Sequence, residues 1–492
     1  MRIGASVLLF VALASPTRAE ESLIDAVKHG NHQVIHSLLS TRADVNAVEP
    51  DGTSALHWAV RGSDLETVRL LIGAGARVNA SNRYGVTPLS LAALNGDASV
   101  TGALLDAGAD VNAPTPAGET PLMAAARTGN AATVKVLLER GADVSAREHA
   151  YDEDALMWAA AENHQDVVRL LVQHGSQVNA HARVLRFPNV KVDAATMVIT
   201  ALPRGGLTPL MYAARQGAID SARALVEVGA ELNATDPDGM TPLVIAIINA
   251  HYDVASMLVE RGADPNAADI TGMAAVYAAV DMHTLDPLVN RPAPTGNTSH
   301  AAVDLVKTML EHHANPNATL KAPLLARQHN FGDAALGAGA TPLMRAAKNG
   351  DVEMMDVLLA HGAVAGRAMP TGMTALLFAV TPGRRKSAHD ALAASTLCLD
   401  HGADVNAADG TGQTALHLAV GLSDDLVKLL AARGARLDVK DRFGRTPLDV
   451  AMGVAGGAPG RGGRAAGPAA HESTAALLRE LAAAAPPSAN SR

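Results

Sequence analysis

Aromatic side chains are scarce in this chain: two Trp, five Tyr and five Phe, about 2% of 492 residues. So few rings make a poor platform for stacking nucleic-acid bases. Positive charge is also in deficit, with 40 Lys and Arg against 49 Asp and Glu and a net charge of -9. A nucleic-acid binder carries the opposite balance, so no nucleic-acid partner is expected. There is one cysteine, Cys398, which excludes an intrachain disulfide and a thiolate zinc site. It falls where other segments carry Leu71, Leu104, Leu137 and Leu171, and is expected to be a buried small hydrophobe. No Gly-rich phosphate loop, His-Glu-x-x-His or nucleophile elbow occurs. No cofactor is expected, and no membrane span in the mature chain.

The first nineteen residues are unlike the rest. Arg2 is followed by an apolar run from Ile3 to Ala14, and Thr17-Arg18-Ala19 places small residues where a signal peptidase reads them. This is the layout of a secretory signal peptide and too short to span a bilayer. Cleavage after Ala19 is expected, with export to a periplasm or the outside. Loss of Arg2 and Arg18 takes the charge of -9 down by two further units.

What the chain has in abundance is hydrophobic residues, at 48%, and 43 glycines. They are arranged with a period. Thr87-Pro88-Leu89 recurs at Thr120, Thr208, Thr241, Thr341 and Thr446, and weaker copies start at Glu21, Ser54, Asp154, Ala274, Thr374 and Thr414. Most intervals are 33 residues, and twelve units result. In one of them Thr87 is a helix cap and Pro88 sits in the first turn, where a missing N–H costs nothing. Ala92-Ala93 are small enough for a neighbouring helix to come close. Leu104 and Leu105 belong to a second helix that Gly108 ends, and Asp110 to Gly118 makes an extended turn to the next unit.

This pattern resembles the ankyrin repeat family, in exported bacterial-type form, over roughly residues 20–485. The resemblance implies an all-α solenoid of about twelve β-turn and helix-turn-helix units with finger-loop insertions. The family's fourth motif residue is usually His, whose ring ties neighbouring turns. Here only His57 and His417 match. Ser90, Met123, Met157, Met211, Val244, Tyr277, Met344, Leu377 and Asp449 replace it, so apolar contact is expected to substitute.

Five interruptions break the period, near residues 181–206, 281–300, 319–339, 382–388 and 453–469. The first holds β-rich runs around Pro188-Asn189 and is expected to be a hairpin growing from a finger. The second is Pro-rich and falls between the helices of the eighth unit. The third lengthens the next finger, and the fourth is short and basic. The last is rich in Gly, Ala and Arg, with a closing helix over Ser473 to Ala484 and a disordered tail over 486–492. Insertions in solenoids map to surface loops and often to a binding face.

The chemistry-bearing clusters are few. His29, His32 and His36 are split by a turn at Gly30-Asn31. His312-His313 stands where a helix-ending Gly is wanted. Asp281, His283 and Asp286 form the best ligand-type cluster, suited to ordering a loop or to holding a cation. Just past the Ala-Ala positions stand Lys28, Arg61, Arg127, Arg215 and Lys348, which form either a basic line for an acidic partner or a solvated face. Trp58, Trp158, Tyr212 and Phe378 are expected to pack between neighbouring first helices.

The expected function is a non-catalytic, exported, monomeric scaffold that binds a protein partner. The residues expected to bind are Arg61, Arg127, Arg215 and Lys348 on the groove, with Arg186, Phe187, Lys191, Asn290 and Arg291 on the insertions. The alternatives are an enzyme or metal-binding protein with its site in 281–300 or 319–339, and a secreted effector that binds foreign-cell proteins.

Overall fold

A computed structural model describes residues 22–185, 204–284, 302–324, 335–383, 386–454 and 471–484. Among these residues there are twenty-four helices, no named strand and four isolated β-bridges. The chain divides into two compact units, Met1–His149 and Ala150–Arg492.

The first unit holds four helix pairs: α1 (Leu23–Lys28) with α2 (His32–Ser40), α3 (Ala55–Arg61) with α4 (Leu65–Gly73), α5 (Pro88–Asn95) with α6 (Ala98–Asp106), and α7 (Pro121–Thr128) with α8 (Ala131–Glu139). The second unit holds eight. They are α9 (Ala155–Ala161) and α10 (Gln165–Gln173), α11 (Pro209–Gln216) and α12 (Ile219–Glu227), α13 (Pro242–Ile248) and α14 (Tyr252–Glu260), and α15 (Ala275–Thr284) and α16 (Ala302–Glu311). After them come α17 (Pro342–Asn349) and α18 (Val352–Ala360), α19 (Ala375–Val380) and α20 (Ala388–Asp400), α21 (Ala415–Ala419) and α22 (Asp424–Ala432), and α23 (Pro447–Ala451) and α24 (Glu472–Ala484).

The local causes are those of the motif. Thr87 and Thr120 accept from the backbone N–H three residues on, in capping boxes with Ser90 and Met123, and Pro88 and Pro121 fill the first turn. Several first helices then bury most of their residues. In α7, Leu122, Met123, Ala124, Ala125 and Ala126 are all buried. The alanines let α5 and α7 pack side by side, as α1, α3 and α5 do. Leu71, Leu104 and Leu137 of the second helices are fully buried behind them. Each such Leu contributes roughly 1.5–3 kcal/mol by leaving water. Gly108 follows α6 at φ 85, the left-handed conformation that ends the helix. After α16 the same place is taken by His313, at φ 65 and exposed.

Two ladders tie the fingers between the pairs. In the first, Arg83 N donates to Asp51 O, His149 N to Ala117 O, Ile270 N to Asp238 O and Arg442 N to Thr411 O, each at 2.8–2.9 Å. In the second, the Asn of the Gly-Ala-Asp-Val-Asn segment reaches forward. Asn112 Nδ2 donates to Gly141 O at 3.2 Å, and Asn112 Oδ1 accepts from Asp143 N at 2.8 Å. Asn46, Asn79, Asn317 and Asn406 do the same within their units.

The first and third interruptions close at their bases. Val184 and Gly205 form an antiparallel bridge, Leu185 N donates to Arg204 O at 2.6 Å, and Gly206 N donates to Arg183 O at 3.0 Å. The base of the expected hairpin is therefore present, while residues 186–203 lie outside the described residues. Leu320 N donates to Ala340 O at 3.0 Å and Gly339 N to Leu320 O at 2.8 Å, closing the third. The second interruption opens later than expected, because α15 continues through Asp281 and His283 to Thr284. The fourth is partly helix: Ser387 caps α20, which starts at Ala388. The closing helix is α24. The N-terminal segment 1–19, residues 455–470 and the tail lie outside the described residues.

Candidate functional site

The basic residues and the rings, which look like two series in the sequence, meet one another within each unit of the fold. Lys28, Arg61, Arg127, Arg215 and Lys348 all stand in the last turn of a first helix, where a cation suits the helix dipole. Trp58, half-buried on α3, lies between two of them. Lys28 Nζ is 4.6 Å from its ring centroid and the Arg61 guanidinium 5.3 Å. The finger residue Glu49 accepts from Trp58 Nε1 at 2.7 Å and pairs with Lys28. The Lys28 bond, then the indole bond, holds the Glu49 carboxyl below its ordinary pKa. Arg127 pairs with Glu119 at 3.2 Å.

The second unit repeats the theme with changes. Glu153 accepts from Trp158 Nε1 at 2.8 Å and from the Tyr212 hydroxyl, which joins the fifth helix pair to the sixth. Arg215 stacks on Tyr212 at 4.8 Å, and Lys348 stands 6.0 Å from the Phe378 ring of the next pair. Tyr212 and Phe378 are buried, as expected of rings that pack between first helices. In the ninth pair Arg345 occupies the ring position. It meets Asp281 of the eighth pair at 2.6 Å, with side chains only 3% and 7% exposed. His283 meets Asp351, the cap of α18, at 2.6 Å, and this hydrogen bond raises the imidazole pKa. Asp281 and His283 are thus helical residues engaged with the ninth pair rather than a converging ligand set; Asp286 lies outside the described residues.

His57 and His417 perform the family's linking role. Each ring takes its own cap through Nδ1, and Nε2 reaches Val86 O at 3.1 Å or Arg445 O at 3.0 Å in the next finger. Burial lowers the pKa of both. Where Met or Leu replaces the His, the side chain is buried: Met123, Met157, Met211, Met344 and Leu377 are at most 1% exposed. Further hydrogen bonds between pairs are made by the asparagine ladder, which sequence reasoning missed, in repeats with and without the histidine. Its signal was the recurring Asn of the finger segment.

The other clusters resolve plainly. His29 ends α1 while His32 and His36 belong to α2, and no group of three metal-ligating side chains occurs among the described residues. Cys398 is fully buried, and burial pushes its thiol up to about 12. Lys386 of the short basic interruption donates to Phe378 O at 2.6 Å. Burial, then the Lys348 charge, pulls it down to about 8. Arg186, Phe187, Lys191, Asn290 and Arg291 lie outside the described residues. An open cleft of about 570 Å³ lies between the second and third fingers, lined by Asn79, Ser81, Thr87, Asp110 and Pro116.

Residues 23–115, 103–182, 190–269 and 297–390 match a family model described as ankyrin repeats (3 copies), and 399–451 match one described as ankyrin repeats (many copies). The chain belongs to the ankyrin repeat family. Ankyrin arrays are protein-interaction scaffolds and in general not catalysts. Among solved structures, this ankyrin chain is similar to the crystal structure of the human ASB11 ankyrin repeat domain, at 24% identity and a TM-score of 0.40, over 49% of this chain and 96% of that one. No curated protein matches it. No helix among the described residues is long and apolar enough to cross a membrane.

Proposed function

We propose that this ankyrin array is an exported, non-catalytic scaffold that engages a protein partner through the last turns of its first helices, its fingers and its inserted loops. The observation that supports this most is the row of last-turn cations within the first unit, Lys28, Arg61 and Arg127. They are held by rings and finger carboxylates, yet Arg61 is exposed and makes no ion pair among the described residues, and Arg127 keeps 44% of its side chain in water. A charge oriented before binding loses less entropy when a partner arrives. The test is a photo-crosslinking residue at position 61 or, as control, at the exposed position 42, in the chain lacking residues 1–19. One partner recovered from 61 and not from 42 supports the reading. Equal capture at both positions, or none at 61, removes it.

Export rests on residues 1–19. Exported protein should begin at Glu20, and N-terminal sequencing that returns Met1 would refute it.

A further inference from the structure

The last-turn row of the first unit has an internal order. Arg61, Leu94 and Arg127 are each the seventh residue after their helix cap, on α3, α5 and α7. These helices pack as consecutive neighbours. From Arg61 onward the row therefore reads cation, apolar, cation. Leu94 is 44% exposed, in a layer where Leu23, Leu56, Leu89 and Leu122 are buried. Arg61 is steered by the Trp58 face, and Arg127 leans on Glu119.

Packed helices lie about 8–10 Å apart, so the three side chains sit on a spacing of that size. A β-strand cannot match it, because residues three apart, at roughly 10 Å, point to opposite faces. A polyproline II segment can. It has three residues per turn at about 3.1 Å each, so residues i, i+3 and i+6 share one face at about 9.3 Å intervals.

We infer that the Arg61–Leu94–Arg127 row is a track for a polyproline II segment of a partner protein, with an apolar residue at its centre and a carboxylate three residues to either side. This rests on the scaffold reading and names the chemistry of its partner. Arg61 is the stronger anchor, since a ligand carboxylate at Arg127 shares that guanidinium with Glu119.

The probe is a fluorescein-labelled peptide containing Glu-Pro-Pro-Leu-Pro-Pro-Glu, read by anisotropy against the full chain. The control moves Leu one place toward either end at identical composition. In-register peptide should bind about tenfold more tightly than the control. Arg61→Ala should weaken it about tenfold, and Leu94→Asp should remove the register preference. Glu119→Gln should tighten it, a gain that partial unfolding cannot produce, and circular dichroism should be unchanged in all three. Equal affinity for both peptides, no binding of either, or no response to Arg61→Ala overturns the track. A partner crosslinked from position 61 in that event leaves the scaffold reading standing, and absence of both removes the two together.

Discussion

Asp281 and Arg345 show how a single position changes character between repeats. The ring position carries Trp58, Tyr212 or Phe378 elsewhere, and at 345 it carries a buried guanidinium that needs a buried carboxylate. Removing one partner strands the other charge, so Arg345→Met should cost about 3–5 kcal/mol in urea unfolding, far more than the pair is worth in itself. A fully apolar replacement, Asp281→Leu with Arg345→Met, should recover most of that loss. The histidines give stability a dependence on pH with two signs. His57 and His417 are held below their ordinary value of 6.5 by burial. The stability they add is present above pH 6.5 and is lost as pH falls, because the unfolded chain then takes up protons that the folded one refuses. His283 is held above 6.5 by Asp351, so its stabilisation is present below 6.5 and is lost as pH rises through its folded pKa. His283→Asn should therefore lower stability by about 0.5–1 kcal/mol at pH 6 and leave it unchanged at pH 9. An equal effect at both pH values would show that the pair holds by packing rather than charge. Neither the Asp281–Arg345 nor the His283–Asp351 pairing was legible in the sequence, because the partners stand in different repeats with an interruption between them. The rings and cations were legible as types, but only the stacking of helices joins them.

The helix pair and its finger were the most legible parts of the chain. Thr87, Pro88 and Gly108 act on their own neighbours, so cap, first turn and stop follow from local chemistry. Asn112 acts instead on Gly141 and Asp143 of the next pair, and that reach appears only when the pairs are stacked. Its two bonds are exposed, and each contributes about 0.5–1.5 kcal/mol. Asn112→Ala should therefore lower unfolding free energy by about 1–2 kcal/mol, because it removes a donor and an acceptor at once. Asn406→Ala breaks the equivalent pair with Gly434 and Arg436. Stability in repeat arrays is a sum over repeats and nearest-neighbour contacts, so the double variant should lose the sum of the two single losses. A loss well beyond that sum, measured by equilibrium urea unfolding, would mean the ladder acts cooperatively along the array.

At the scale of the whole chain, the first and third insertions are pinched off where they begin. The Val184–Gly205 bridge and the Arg183 and Leu185 backbone bonds return the chain to register before α11. Arg183 pairs with Asp152 and Arg204 with Asp238, so the base is braced on the fingers either side. Those contacts are made by residues on either side of 186–203. Loop closure entropy grows slowly with length, so a shorter connection changes the free energy by only about 1 kcal/mol. Replacing residues 186–203 with a short turn, with Val184 and Gly205 kept, should leave the circular dichroism spectrum and melting temperature nearly unchanged. Leu225→Asp should do the opposite. Leu225 is fully buried on α12, and an unpaired carboxylate there costs several kcal/mol, roughly the stability of a repeat and its neighbours. If the insertion carries partner specificity, the shortened chain stays folded and loses the partner crosslinked from position 61. If that partner still binds at full strength, recognition belongs to the last-turn row alone. A shortened chain that unfolds would instead place the inserted residues in the core of the array.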